Sequence, residues 1–512
     1  MIVNNLEDSL HLKQVAFFRW IFIALVSLRV LSAFFSPQAV EFDESIIVNL
    51  GQRSWQDFAF YLFSPEYTRW EMLASYLFSV PAFFSLSLAR TLSALMGIGE
   101  IYLFKKILEI GLSESKEKKQ VIYLALIFYL LCPWHFYYSR ILGTCQGVAL
   151  FFYLSYIYKD QLKVLIPVSL LGLFYYTPFR LWFVLIAINK RKINFLVKYY
   201  FLTSLIVFFA LWLSKNSIID FFKRGSYNFL EVKINFLENI AASIIFPFSP
   251  PLKNYLEISK SFSADLIHES FLQSLGSNPP LGFGLSLMVT IGIYASLKEK
   301  LWKSSELFKY FTSWWLLQIL ALSFMGPSTS RFILLIPSLI YFATMGIQFT
   351  LRLSNQTLKT SLISITLLLN LSGIAQSQSF LFDSNKHGKF FPQIIFENAL
   401  AVQNKFPNFK KNQKVFLSYK LHHAFLLQSK RSPQFIAPAP IFQEFEQTIE
   451  KIVNSKQQAL IVFPHIFNHK VQGGTKEYYR DAKLILRQKY SKIEAGILKK
   501  ENKEIGEYYL VK

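Results

Sequence analysis

Two adjacent carboxylates stand in Glu41-Phe42-Asp43-Glu44, directly after an apolar run. Ionised groups at the edge of such a run are costly unless they face water or perform work. One reading makes Asp43 a general base toward an acceptor hydroxyl or amine, with Glu44 shaping the site or helping to hold a cation. The other makes Asp43 the N-cap of a helix over Ser45–Phe63, with an acidic first turn. The readings are compatible, because a carboxylate at a helix start is held in place. Glu66, in Ser64-Pro65-Glu66, is either a third acid over the same pocket or a solvated loop residue.

Four arginines mark other breaks between apolar runs: Arg90, Arg140, Arg180 and Arg331. Any one of them can snorkel to lipid phosphate. Gathered on one face with carboxylates, they make a phosphate pocket instead, because the planar guanidinium binds phosphate oxygens in pairs. His135, five residues before Arg140, is grouped with Glu66 as a candidate acceptor or cation site. No metal is assigned: His422-His423 and His465/His469 have no Cys or paired carboxylate at ligand spacing. A divalent cation is left open as a cofactor. Cys132 and Cys145 flank one turn and can meet. No glycine-rich phosphate loop is present; Gly97/Gly99 and Gly282/Gly284 lie in apolar stretches, where glycine permits close helix packing.

The elements that must position these groups follow from composition. The 512 residues include 53 Phe, 26 Tyr and 9 Trp, and only 17% are charged, against roughly 25% in a soluble domain. This composition excludes a disordered chain, and two cysteines exclude a disulfide-stapled module. A spanning helix needs about 20 apolar residues. Such runs are Ala16–Phe35, Leu86–Leu108, Val121–Tyr138, Ile141–Tyr158, Val164–Tyr176, Phe179–Ile188, Phe195–Leu213, Leu281–Leu297, Phe308–Met325, Phe332–Phe349 and Thr360–Ala375. The fold class is therefore a polytopic α-helical membrane protein of about eleven transmembrane helices. Ser45–Phe63 and Tyr67–Phe78 read as amphipathic surface helices.

The net charge of +22 does not point to nucleic acid. Lys386–Lys512 holds 22 basic and 10 acidic residues, and much of the remaining excess sits in short loops such as those with Lys105, Lys159, Arg191 and Lys298. Alternating the spans puts those loops on the side of the N-terminus, which the positive-inside bias makes cytoplasmic. The outer face then receives a first loop, 36–85, a large loop, 215–280, and everything after Gln376. Ser261–Gly276 in the large loop reads as an amphipathic helix, a lid or a plain surface helix. Domains are assigned as 1–375, transmembrane, and 376–512, a small soluble α/β domain in the periplasm. In that tail Val415–Leu417 and Leu460–Phe463 read as strands, and Glu444–Val453 and Lys476–Lys489 as helices.

The words Phe42-Asp43-Glu44-Ser45, Ser87-Leu88-Ala89-Arg90-Thr91-Leu92-Ser93, Tyr138-Ser139-Arg140, Tyr176-Thr177-Pro178-Phe179-Arg180 and Ser330-Arg331-Phe332 occur in an order and sidedness that resemble the GT-C superfamily of membrane glycosyltransferases. The resemblance is to the family 39-like branch of protein mannosyltransferases and aminoarabinose transferases, and it runs from the first span to about Gly346. Two words depart from it. Ser64-Pro65-Glu66 stands where many relatives carry His-Pro-Pro, and Gly143-Thr144-Cys145-Gln146 where many carry an acid.

The resemblance implies an inverting transferase of the cytoplasmic (inner) membrane. Its donor would be a polyprenyl-phosphate-linked sugar and its acceptor an extracytoplasmic lipid, glycan or protein. Asp43 and Glu44 match the catalytic position, and Arg90, Arg140, Arg180 and Arg331 match positions around the donor phosphate. Membrane lipid is the other expected partner. The alternatives are a transporter or flippase of a lipid-linked saccharide, for which Glu100 inside an apolar run is the best residue, and an inactive scaffold of the same fold.

Overall fold

The computed structural model describes residues 2–35, 44, 47–48, 55, 72–115, 117–142, 147–175, 236–249, 274–325, 332–382, 400–402, 404–406, 414–417, 459–464, 493–500 and 503–511. The chain forms two compact units. One comprises Met1–Ser36, Leu50–Phe262 and Leu272–Ser379; the other comprises Pro37–Asn49, Ser263–Phe271 and Phe380–Lys512.

The first unit is helical, as a chain in hydrocarbon must be, because only a helix or a closed barrel satisfies every backbone polar group internally. Its helices are α1 (Ile2–Phe34), α2 (Met72–Ala82), α3 (Leu86–Gly111), α4 (Lys118–Leu130), α5 (Pro133–Tyr138), α6 (Val148–Ile157) and α7 (Leu162–Tyr175). There follow α8 (Phe236–Ile245), α9 (Phe283–Lys298), α10 (Glu306–Met325), α11 (Ile336–Leu351) and α12 (Gln356–Phe382). Among the described residues, three stretches are by themselves long and apolar enough to cross a membrane: Ala16–Phe34, Ile333–Leu351 and Gln356–Ser379.

Their surroundings differ. The most apolar window of Ile333–Leu351 is 89% buried within the protein, whereas those of Ala16–Phe34 and Gln356–Ser379 are 17% and 22% buried. Phe17, Trp20, Leu31, Ile365 and Leu368 are exposed on α1 and α12. Apolar faces left open at this scale fit a lipid surround and not water. The protein is a multi-pass helical membrane protein with a buried central helix.

Several spans differ from the sequence expectation for local reasons. Val121–Tyr138 is two helices, because Pro133 has no N–H to continue α4 and instead starts α5, where the missing donor costs nothing. In the run from Ile141, Ile141 and Leu142 are not helical, 143–146 lie outside the described residues, and α6 starts at Val148. Gly147 precedes it at φ +90, and a Cβ there would collide with Met96 and lie 2.9 Å from the Tyr175 hydroxyl. Gly282 is not within a helix but caps α9 at φ +82. Gly284 and the pair Gly292/Gly346 do serve close packing, since a Cβ on any of them would meet a carbonyl of the neighbouring helix. The runs Phe179–Ile188 and Phe195–Leu213 and most of Ser45–Phe63 lie outside the described residues, as does Ser261–Gly276 up to Gln273.

An aromatic core joins α6, α10 and α11: Phe152 packs on Trp314 at 4.5 Å, and Phe311 stacks on Tyr341 at 4.5 Å. On another side Ile127, Leu131, Phe136 and Ile374 cluster against Phe18, Ile21, Phe22 and Leu25 of α1.

The second unit contains a four-stranded sheet in the order β1 (Lys414–Leu417), β2 (Ala459–Pro464), β4 (Lys503–Val511), β3 (Ile493–Lys500). β1 and β2 are parallel, and the other neighbours are antiparallel. Leu460, Ile461 and Val462 are all buried, as a central strand covered on both faces requires. Both expected strands are present. The β3–β4 pair lacked a sequence expectation, because Lys and Glu interrupt its alternation. The expected helices Glu444–Val453 and Lys476–Lys489 lie outside the described residues.

Candidate functional site: a buried polar cluster around Phe136

The short helix α5 carries His135 and Phe136 and, just after its end, Arg140, the side chains around which the cluster is built. It is anchored at both ends. The Trp134 N–H donates to the Pro280 carbonyl at 3.0 Å, and Ser139 Oγ closes the last turn on the Phe136 carbonyl at 3.0 Å.

His135 is buried and engaged on both ring nitrogens. Arg29 Nη1 lies 2.7 Å from Nδ1, and Glu100 Oε2 lies 2.7 Å from Nε2. A guanidinium can only donate, so Nδ1 accepts and the imidazole proton sits on Nε2, facing the carboxylate. The other Glu100 oxygen accepts the Ala149 N–H at 3.2 Å, at the start of α6, where the helix dipole favours an anion. Arg29 Nη2 donates to the Leu130 carbonyl at 2.8 Å, at the end of α4. Arg29, Glu100 and His135 thus bring α1, α3, α4, α5 and α6 into one hydrogen-bonded chain whose formal charges sum to zero.

The fully buried guanidinium of Arg140 has different company. Its Nη1 donates to Ser32 Oγ at 3.4 Å and to Gln378 Oε1 at 3.3 Å, and it lies over the rings of Phe136 at 5.2 Å and Tyr137 at 5.9 Å. Among the described residues no carboxylate pairs with it. Its Nε has no hydrogen-bond partner, and neither has Nε2 of Gln378. Taking a charge out of water costs several kcal/mol per ion unless it is compensated. Among the described residues, Arg140 Nε and Gln378 Nε2 are thus buried donors without an acceptor beside an uncompensated charge.

Of the residues singled out from sequence, Arg90, His135 and Arg140 fall in this unit, all buried. Arg90 is in the first turns of α3, after the N-cap Ser85 whose Oγ accepts the Leu88 N–H at 3.1 Å. Glu44 is buried in helical backbone and belongs to the second unit. Asp43, Glu66, Arg180 and Arg331 lie outside the described residues. His135, grouped with Glu66 as an acceptor or cation site, has no lone pair left to offer, and among the described residues no three metal-ligating side chains converge. Glu100 is not the isolated charge it is in the sequence. Cys132 is a free, buried thiol, and Cys145 lies outside the described residues. Sequence reasoning missed Arg29, Ser32 and Gln378. The signal for Arg29 was a cation inside an apolar run; Ser32 and Gln378 carried none.

The backbone can be compared with solved structures. ArnT from Cupriavidus metallidurans in the apo state superposes with a TM-score of 0.54 over 96% of this chain and 98% of that one, at 9% identity. The same protein bound to undecaprenyl phosphate superposes with a TM-score of 0.52 over 95% and 97%, at 10% identity. The chain has a GT-C-like fold. The likeness extends through the tail as well as the helical unit. No family model matches the sequence, and no curated protein matches it.

Proposed function

We propose that this protein is a GT-C glycosyltransferase of the cytoplasmic membrane. It moves a sugar from a polyprenyl-phosphate-linked donor to an extracytoplasmic acceptor with inversion. The observation that carries the reading is the buried guanidinium of Arg140, without a carboxylate partner among the described residues, in a chain that superposes almost end to end on ArnT. ArnT has been captured with undecaprenyl phosphate, a ligand whose head group is the anion such a guanidinium would hold.

In this reading the acceptor oxygen or nitrogen attacks the anomeric carbon. Its proton passes to Asp43, the bond from the sugar to the phosphate oxygen breaks, and the electron pair leaves with the phosphate. Arg140, with Arg90, Arg180 and Arg331, offsets the charge that grows on the leaving group. Glu44 shapes the acceptor side. The spans number about eleven, the N-terminus is cytoplasmic, and the tail beyond α12 forms an extracytoplasmic domain. The transporter alternative loses support, because Glu100 is committed to His135 and Ala149 within a charge-balanced chain.

The test is transfer of labelled sugar from a polyprenyl-phosphate donor in membranes containing the protein. Asp43→Asn is expected to keep normal expression and to lower transfer by at least about a hundredfold, within the range that general-base catalysis supplies. Transfer at the wild-type rate would remove Asp43 from the mechanism.

A further inference from the structure

The end of α12 carries a group that the arginine pattern does not assign. Gln378 Oε1 accepts from Arg140 Nη1 at 3.3 Å and from Ser32 Oγ at 3.4 Å. Because a guanidinium has no acceptor, the amide oxygen must face it, and that fixes which way the amide is turned. Its NH2 group is therefore committed to the other side. There Nε2 is out of solvent with no partner among the described residues, as is Nε of Arg140. Buried donors are ordinarily satisfied, so two orphans on adjoining side chains point to an acceptor that completes them. A water molecule would satisfy the amide and leave the charge of Arg140 uncompensated, whereas an anion answers both. Gln378 is only half-buried, which puts the cluster beside the surface of the helical unit.

We propose that the Gln378 side-chain amide is a ligand of the donor phosphate, its NH2 donating to a phosphate oxygen held at the same time by Arg140. The proposal rests on the function proposed above. Ser32 is the positioning residue: its hydroxyl and Arg140 together hold the amide oxygen, so the amide cannot flip without breaking both contacts. The chemistry recognised is a phosphate oxygen, which either a polyprenyl phosphate or a phospholipid head group can present.

The full chain in detergent, titrated separately with undecaprenyl phosphate and with phosphatidylglycerol, distinguishes these sources, with thermal unfolding followed in parallel. Gln378→Glu puts a carboxylate against Arg140 where the anion would sit. It is expected to leave the melting temperature unchanged or raised while weakening undecaprenyl phosphate binding by about tenfold or more, the worth of a charge-assisted hydrogen bond. Gln378→Ala, which only removes the donor, is expected to weaken binding about fivefold.

Wild-type affinity in a folded Gln378→Glu protein overturns the assignment; the wider function still stands if Arg140→Gln loses binding. If Gln378→Glu does not fold, Gln378→Ala decides alone, and unchanged affinity overturns the assignment. Phosphatidylglycerol bound as tightly as undecaprenyl phosphate, and weakened equally by the substitution, overturns the donor as the ligand. No binding of undecaprenyl phosphate to the wild-type chain or to any variant removes the proposed function itself.

Discussion

Arg29 and Arg140 lie 5.1 and 5.2 Å over the same phenyl ring, that of Phe136, and both are fully withdrawn from water. Each even has an Nε without a partner. Their difference is one of counter-charge. Arg29 reaches Glu100 through His135, so three groups from distant parts of the chain close into a neutral set. Among the described residues, Arg140 meets a hydroxyl, an amide oxygen and two rings and no carboxylate. The same residue type, against the same ring, is in one case a fastening between helices and in the other, in the function proposed above, a charge held for the donor phosphate. Burial is common to both arginines; their partners are what differ.

The contrast is broken most forcefully from the Arg29 side. Glu100→Leu strands the Arg29 charge, and removing one partner of a buried pair costs about 3 to 5 kcal/mol. Detergent unfolding curves and the yield of folded protein should register the loss. The triple replacement Arg29→Met, His135→Leu, Glu100→Leu should recover most of it, because replacing a whole buried ionic group with apolar residues of similar volume is often neutral or stabilising. A triple variant as unstable as Glu100→Leu would show that the set does more than balance charge.

Arg140→Gln probes the other side and should do the reverse. Removing a buried cation with no carboxylate partner among the described residues is expected to leave unfolding temperature unchanged or higher, while transfer from the lipid-linked donor falls about 10²-fold or more. A large loss of stability with residual transfer intact would make Arg140 a second fastening and erase the distinction. The smallest effect is expected at Tyr129→Phe. The Tyr129 hydroxyl lies 3.1 Å from that of Tyr153, beside the His135 ring. Losing this neutral hydrogen bond should cost about 0.5 to 1.5 kcal/mol in unfolding and leave transfer unchanged. A marked fall in transfer would extend the catalytic environment onto the Arg29 side.

Arg140 was legible in the sequence, because a guanidinium closing the aromatic word Trp134-His135-Phe136-Tyr137-Tyr138-Ser139 has no cheap place in an apolar chain. So was the strand Ala459–Pro464, whose continuous apolar run suits only a covered position. The break at Pro133 was also there to be read, but the apolar run on both sides outweighed it; hydropathy measures cost in lipid and is blind to a missing N–H. Gln378 was illegible, since a glutamine near a helix end suits lipid head groups, water or a ligand equally well.

Composition and order alone determined that this chain must bury helices in a bilayer, and that every charge within them must find a partner, because hydrocarbon offers none. Which charge found which partner was decided only when α1, α3, α5 and α12 packed. Glu100 and His135 are 35 residues apart, and Arg140 and Gln378 are 238 apart. Hydrogen bonds extend about 3 Å, so at these separations the pairing is set by helix packing and not by position along the chain.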